Sequence, residues 1–298
     1  MNKTQLGYLY MILSAASFAS MSVFMKQAYG LGMTPWTFSV LQSLFALAQL
    51  ALLKLREPSP AVPRPPVRWQ ALLLFAVAGA GAAIAFNVAL VHLSISLGSI
   101  LLFTYPAFVA LGAWLFLHQR PGALHLAALA MTLVGTVLTV DVGGALAGTL
   151  SLLGIGLALL SALSQGVYIL LGERIGGGLS PVSATILTRL SIMTGSFLLY
   201  PRVVPEILAL PGEAVLVTLA ASLVGGVAPF LFLYKGIALI GANRAAIVSV
   251  VELPFALVLG RLFQGDQILP VQLLGALLIG AAVVLSQSRA TTGDGAAE

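Results

Sequence analysis

Cysteine and charge are both scarce in this sequence. None of the 298 residues is cysteine, which excludes disulfide bonds, thiolate catalysis and cysteine-bound zinc or iron–sulfur clusters. Charged residues make up 8% of the chain, whereas ordinary globular proteins contain about 25%. The 14 basic and 9 acidic residues are too few to cover the surface of a water-soluble protein of this length. Most of the surface must therefore contact lipid.

Hydrophobic residues are abundant instead, at 59% of the chain. A helix that crosses the hydrocarbon core needs about 20 apolar residues, and turn signals divide the chain into ten apolar runs of that order. These runs fall near residues 7–26, 35–53, 70–92, 97–117, 124–141, 151–172, 182–200, 214–235, 243–263 and 270–287. The sequence therefore predicts an all-α polytopic membrane protein with ten transmembrane helices. Because the first run reaches Met25 and comparable runs follow, we interpret it as a membrane span rather than a cleaved signal peptide.

The segments outside these spans are short. The longest loop, Glu57 to Arg68, is rich in proline, which is unfavourable inside a helix and predicts a stiff, extended tether. The tail 290–298 is polar and glycine-rich and is predicted to be disordered.

Lys and Arg are unequally divided between the two faces of the predicted helix bundle. One face receives Lys3, Lys54, Arg56, Arg64, Arg68, Arg120, Arg174, Lys235, Arg244 and Arg289, whereas the other receives Lys26, Arg202 and Arg261. Cytoplasmic loops carry the excess of positive residues, so we expect both termini to be cytoplasmic. The basic residues form no continuous stripe, so we expect no nucleic-acid partner despite the net charge of +5.

The second half of the chain repeats the first at an offset of about 147 residues. Matches at or near this offset include Gly7, Leu13, Ser14, Ala15 and Ser17 with Gly154, Leu160, Ser161, Ala162 and Ser164, as well as Pro35 with Pro181 and Gln42 with Arg189. Five spans per half is an odd number, so the second copy must enter the membrane from the opposite face. We therefore predict two inverted five-helix repeats, residues 1–145 and 146–289, an arrangement typical of alternating-access transporters.

Motifs in both halves also carry a family resemblance. They are LSAAS at 13–17, LSALS at 160–164, the aligned Pro106 and Pro254, GANRAA at 241–246 and LLGALLIGAAVVL at 273–285. Together they resemble the drug/metabolite transporter superfamily, specifically its bacterial exporters with paired EamA-type domains. The resemblance covers nearly the whole chain. It implies a secondary transporter of the cell inner membrane that exports small metabolites, with aromatic and other amino acids as the substrate class.

The aligned prolines indicate where a substrate site could form. Pro106 and Pro254 each remove a backbone donor in mid-span, which frees carbonyl groups for a ligand or a neighbouring helix. We predict broken helices there and a cavity at the membrane midplane, lined mainly by spans three, four, eight and nine. A simple packing kink is the alternative. Gly79 and Gly225 hold nearly matched positions on spans three and eight, where they permit either hinge motion or close packing.

Two charged residues lie deep inside predicted spans. Glu252 stands halfway along span nine, where a charge costs about 3 kcal/mol. It could couple transport to protons or bind a substrate ammonium, or it could be a protonated or paired structural carboxyl. Arg189 lies within span seven and could bind a substrate carboxylate. Its alternative role is structural, as the partner of a carboxylate or of the C-terminus of a broken helix.

Aromatic and amide side chains within the spans are further candidates for substrate binding. They are Phe86 and Asn87 on span three, Tyr105 on span four, Tyr168 on span six and Tyr234 on span eight. Aromatic faces with a few hydrogen-bonding groups suit a small amphiphile such as an amino acid. Ordinary helix packing and an interfacial aromatic belt are the alternatives.

Other polar residues suggest gates and helix contacts. Lys26 and Glu173 end spans one and six at opposite faces of the membrane, so they are candidate gate charges, with a snorkelling or solvated helix end as the alternative. Ser14, Ser161 and Gln42 are predicted to form interhelical hydrogen bonds.

Motifs for other functions are missing. No HExxH or GxSxG occurs, His92, His118 and His125 lie near span ends, and Asp141 and Asp266 do not form a buried pair. We therefore expect no catalytic residues, no metal site and no cofactor. No GxxxxGK[ST] loop for ATP is visible. The expected partners are a small-molecule substrate and the lipid bilayer, and we expect a monomer. The alternatives are export of another metabolite or drug, or a membrane scaffold without transport activity.

Overall fold

The computed structural model describes residues 1–58, 64–119, 121–140, 151–265 and 267–287, and every regular element in these ranges is helical. The first half contains α1 (Lys3–Gly30), α2 (Pro35–Leu55), α3 (Trp69–His92), α4 (Ile95–Leu102), α5 (Tyr105–Leu117) and α6 (Ala123–Thr139). The second half contains α7 (Leu152–Ile175), α8 (Pro181–Leu199), α9 (Val203–Leu208), α10 (Gly212–Ala221), a π-helical segment (Ser222–Val227), α11 (Ala228–Ser249), α12 (Glu252–Gln264) and α13 (Pro270–Gln287).

Helices begin where the sequence supplies a cap. The Asn2 side chain accepts from the backbone N–H of Gln5 at the start of α1, and Thr34 caps α2, whose first residue is Pro35. Ser180 does the same for α8. These side chains satisfy N–H groups that have no partner within the helix, so the starts of these spans follow directly from local sequence.

The fourth and ninth spans are each divided into two short helices. The fourth breaks at Phe103 and Thr104, between α4 and α5. The ninth begins within α11 after Gly241, where the backbone turns with φ 77° and ψ 164°, and it breaks again between Ser249 and Glu252. The apolar runs ending at residue 235 and beginning at residue 243 predicted a loop between them. That boundary was wrong, because the helix continues to Ile240 and the chain turns at Gly241. The backbone conformation of Gly241 would be strained in a residue that carries a side chain.

Within the described ranges, this arrangement gives ten membrane-crossing segments. Eight helical runs are long and apolar enough to span a membrane, and α6, with 17 residues, is slightly shorter. The 38-residue run Gly212–Ser249 turns at Gly241, so its last part belongs to the ninth span, which α12 completes. The predicted all-α membrane fold of two inverted five-helix repeats is confirmed. The end of the fifth predicted span at Asp141, residues 59–63 of the proline-rich loop and the tail 290–298 lie outside the described residues.

The two halves pack through two equivalent pairs of helices. Residues or helices in the two halves are called matched when they are separated by the repeat offset. Helix α1 lies along α11, and α3 lies along α7. Ser14 donates a hydrogen bond to the Pro229 carbonyl at 2.8 Å, and its match Ser161 donates to the Ala82 carbonyl at 2.6 Å. Both donors and both acceptors are 147 residues apart, so the two interfaces are copies of each other. Such bonds add about 1 kcal/mol each to helix association in a membrane.

Candidate substrate site and gates

The centre of the molecule is marked by a contact between matched residues. Arg189 on α8 donates from its Nη1 to the Gln42 side-chain oxygen on α2 at 3.2 Å, and the two residues are 147 positions apart. Matched residues can meet only close to the axis that relates the two halves. Arg189 and Gln42 therefore lie at this pseudo-twofold axis.

Arg189 is bound by the protein itself. Its Nε donates to the Gly226 carbonyl at 2.8 Å, and its Nη2 donates to the Gly225 carbonyl at 3.0 Å. Its guanidinium carbon also lies 4.4 Å from the centre of the Phe230 ring, and the residue is 3% exposed. Because all three nitrogens bond to protein oxygens, the guanidinium holds the π-helical segment and does not face an open cavity in this conformation.

Two of the predicted aromatic residues meet beside Arg189. The hydroxyls of Tyr168 and Tyr234 are hydrogen-bonded to each other, and each is also bonded to the Thr188 hydroxyl, at 2.9 and 2.7 Å respectively. Phe75 stacks on Tyr168 with a centroid distance of 4.7 Å. All of these side chains are buried. The structure therefore joins α3, α7, α8 and α11 through a closed aromatic and hydroxyl cluster.

Thr188 and Phe75 were missed by the sequence analysis. Threonine and phenylalanine are common in membrane helices, so neither residue type is distinctive by itself. The only available signal was that Thr188 lies next to the unusual Arg189.

The remaining predicted substrate contacts are separate from that cluster. Glu252 is the first residue of α12 and Tyr105 is the first of α5, so they hold matched positions at the two breaks. The Tyr105 hydroxyl donates to the Ala246 carbonyl at 3.4 Å. Glu252 is half-buried, as are Phe86 and Asn87 on α3. No described residue donates a hydrogen bond to the Glu252 carboxylate, which leaves it available to a ligand or a proton.

The predicted hinge residues lie at breaks or at close helix contacts. Pro106 is the second residue of α5 and Pro254 the third of α12, where the missing N–H costs little. A Cβ on Gly79 would lie 2.9 Å from the Tyr168 ring, and one on Gly225, in the π-helical segment, 3.0 Å from Met21. The glycines therefore allow close helix contacts. Their role in movement stays a prediction.

The two predicted gate charges have different surroundings. The Glu173 carboxylate accepts from the backbone N–H of Ala242 at 2.8 Å, directly after the turn at Gly241. Lys26 is exposed and borders a surface pocket of about 350 Å³ together with Val23, Gln27 and Phe263. These residues mark opposite ends of the bundle, the Glu173 end and the Lys26 end.

Comparison with known proteins agrees with this architecture. The model of the EamA-like transporter family matches residues 5–141 and 152–287. The uncharacterized transporter YcbK of Bacillus subtilis is 26% identical over 288 residues, which cover 90% of this chain and 88% of that one. The uncharacterized transporter sll1319 of Synechocystis sp. is 28% identical over 225 residues, which cover 74% of this chain and 67% of that one.

A solved crystal structure supports the fold. It superposes with a TM-score of 0.71 at 17% identity and covers 97% of this chain and 98% of its own. At this identity the likeness extends to the fold alone. Each half of the chain matches the family model over nearly its full length, in agreement with the inverted five-helix halves seen in the structure. The chain belongs to the EamA-like transporter family.

Proposed function

We propose that this multi-pass membrane protein exports small metabolites across the cell inner membrane by alternating access, with aromatic and other amino acids as the substrate class. One observation supports alternating access above the others. The halves are inverted copies whose matched residues Gln42 and Arg189 meet at the centre, so exchanging the arrangements of the two halves turns an opening at one face into an opening at the other.

The breaks in the fourth and ninth spans support a zwitterionic or amine-bearing substrate. The N-terminal ends of α5 and α12 lie at these breaks, and helix N-termini favour anionic groups such as a carboxylate. Glu252 at the start of α12 has no described hydrogen-bond partner and would favour an ammonium group. Arg189 is already bonded to Gly225, Gly226 and Gln42, so we assign it a structural role rather than substrate binding.

Energy for transport would come from an ion gradient or from the substrate gradient. Glu252 is the group best placed to carry a coupled proton, because it is an acidic residue at a mid-span break. Comparing Glu252→Gln with wild type for the pH dependence of flux tests this role. We expect the variant to lose most of the pH dependence, and an unchanged profile would remove Glu252 from coupling.

Counterflow in proteoliposomes tests the function itself. Vesicles loaded with one unlabelled amino acid at a time are given a labelled aromatic amino acid, and uptake is followed. Saturable uptake that depends on the side chain of the internal amino acid is the expected result. Absence of uptake with folded protein, repeated with other amines and metabolites, would favour a scaffold role instead.

A further inference from the structure

The two broken spans begin at matched residues, Ser94 and Gly241, but their first backbone N–H groups find different acceptors. Helix α4 starts after Ser94, whose side chain accepts from the backbone N–H of Leu97 at 3.2 Å. The matched residue in the second half is Gly241, which has no side chain and therefore cannot cap the segment that follows it. The acceptor comes from another helix, since the Glu173 carboxylate on α7 bonds to the N–H of Ala242.

The cap from Glu173 is specific to one end of the bundle. The residue matched to Glu173 is Lys26, and an ammonium group has no lone pair to accept a hydrogen bond from a helix N-terminus. The sign of the charge matters as well, because a carboxylate is favourable at a helix N-terminus and a cation is unfavourable there. The two gates are therefore chemically different although the fold is repeated.

Packing around these residues shows the same difference. At the Glu173 end, α7 packs against α11, and the matching helix α1 makes no comparable contact with α3 or α4. A second hydrogen bond lies nearby: the Asn243 amide donates to the Gln119 side chain at 3.0 Å and so joins α11 of the second half to the segment after α5 of the first. Among the described helices, α7 and α11 therefore meet at the Glu173 end, whereas the matched pair formed by α1 with α3 and α4 has no comparable contact at the Lys26 end.

We propose that Glu173 is the latch of one gate: its bond to Ala242 holds the Glu173 end closed, and this bond must break before that end can open. The inference rests on the proposed alternating access. Opening moves α7 away from the Gly241 turn, which leaves the N–H of Ala242 without its acceptor. Helix α4 loses nothing in the corresponding movement, because Ser94 caps it from within its own segment.

Single cysteines placed in this cysteine-free chain test the latch. Ala246 lies one turn beyond the latch and is 0% exposed, and its matched residue Ser99 is half-buried in α4. The reporters Ala246→Cys and Ser99→Cys are treated separately with a small maleimide, and labelling rates are followed by mass spectrometry. Neither rate depends on knowing the substrate.

Removing the latch should change the two rates in opposite directions. With Glu173→Ala we expect Ala246→Cys to react about tenfold faster, because the free energy lost with a charged helix cap changes an equilibrium by about that factor. We expect Ser99→Cys to react more slowly. Glu173→Gln keeps an oxygen acceptor but loses the charge, so its shift should be smaller and in the same direction. Arg174→Ala, which removes the neighbouring exposed charge, is the matched control and should leave both rates as in wild type.

Each contrary outcome overturns a separate claim. An unchanged Ala246→Cys rate in folded Glu173→Ala and Glu173→Gln proteins overturns the latch, and so does faster labelling at both reporters, which indicates general loosening. Flux in counterflow combined with unchanged labelling refutes the latch alone. Opposite changes in labelling without flux for any amino acid refute the proposed substrate class and leave the latch intact.

Discussion

Gln42 and Arg189 hold the same position in the two halves, yet only Arg189 accompanies a π-helical segment. A π-helix shifts the regular backbone bonding by one residue, and the carbonyls of Gly225 and Gly226 within it accept from the guanidinium. The matched helix α3 is α-helical throughout. At the scale of single residues, the two halves therefore differ at their axis, where the Arg189 guanidinium bonds to the carbonyls of Gly225 and Gly226.

Arg189→Lys should destabilise the protein by about 1–3 kcal/mol. A lysine ammonium lacks the planar fork that reaches Gly225, Gly226 and Gln42 together, so at least one buried acceptor loses its donor. The measurement is the free energy of unfolding in detergent, with Arg174→Lys at an exposed position as the control. Wild-type stability with abolished transport would instead indicate that Arg189 recognises the substrate.

Glu57 provides a prediction about pH outside the membrane spans. Partial burial raises the pKa of its carboxyl. Hydrogen bonds from Lys54 and Ser180 and the charges of Lys54 and Arg64 lower this pKa, and together they outweigh burial, so the net pKa lies below the usual 4.5. A carboxyl with a lowered pKa stabilises the folded state. The stabilisation from Glu57 is fully present above the unfolded-state pKa and is lost as pH falls through the lower folded-state pKa.

Acid should therefore remove the Glu57 contribution. From about pH 4.5 downward, the wild-type unfolding free energy should fall towards that of Glu57→Gln, whose deficit at neutral pH is below about 1 kcal/mol because the pair is partly exposed. Glu213→Gln, at an exposed position, controls for the loss of one charge. A deficit that persists unchanged in acid would show that charge on Glu57 is not its cause.

At the scale of helices, the sequence predicted the spans far better than the breaks. Apolar runs of about 20 residues have few alternatives in a membrane, so the ends of α2 and α3 agree with prediction to within a few residues. The turn at Gly241 was missed because this glycine stands among others that remain helical, such as Gly236. Whether a glycine turns or continues a helix depends on tertiary contacts, here with Glu173, which are distant in sequence.

The contact between α6 and α13 gives a prediction for two glycines on one helix. A Cβ on Gly275 would lie 2.5 Å from the Thr139 backbone nitrogen and 2.7 Å from the Gly135 carbonyl oxygen, whereas one on Gly280 would meet nothing within 4 Å. Gly275→Ala should cost about 1–3 kcal/mol through overpacking, and Gly280→Ala should be neutral or slightly stabilising. Unfolding in detergent measures both, and equal effects would contradict the close packing seen here.

For the whole molecule, the repeat offset was sufficient to predict two inverted halves, but it did not predict which end is closed. Both ends of such a protein can close, and the two states differ by a few kcal/mol at most. The difference comes from individual bonds, such as the one between Glu173 and Ala242. The offset likewise indicated the aligned prolines, but the buried cluster of Tyr168, Tyr234 and Thr188 depends on side-chain packing between four helices.

Inversion of the halves has a direct consequence for membrane topology. Gly30 and Gly177 are matched positions at the ends of α1 and α7, both are exposed, and a Cβ on either would meet nothing within 4 Å. Because the halves are inverted, these positions should lie on opposite faces of the membrane. From the excess of Lys and Arg on the face predicted to hold both termini, we expect Gly177 to lie in the cytoplasm and Gly30 outside.

A membrane-impermeant maleimide applied to intact cells should therefore label Gly30→Cys and spare Gly177→Cys until the membrane is permeabilised. The wild-type chain gives no background because it has no cysteine. The opposite pattern would keep the inverted repeat and reverse the proposed orientation, so that the latch at Glu173 would close the external face. Labelling of both positions from outside would contradict the inversion itself, because an odd number of spans separates matched residues in inverted halves.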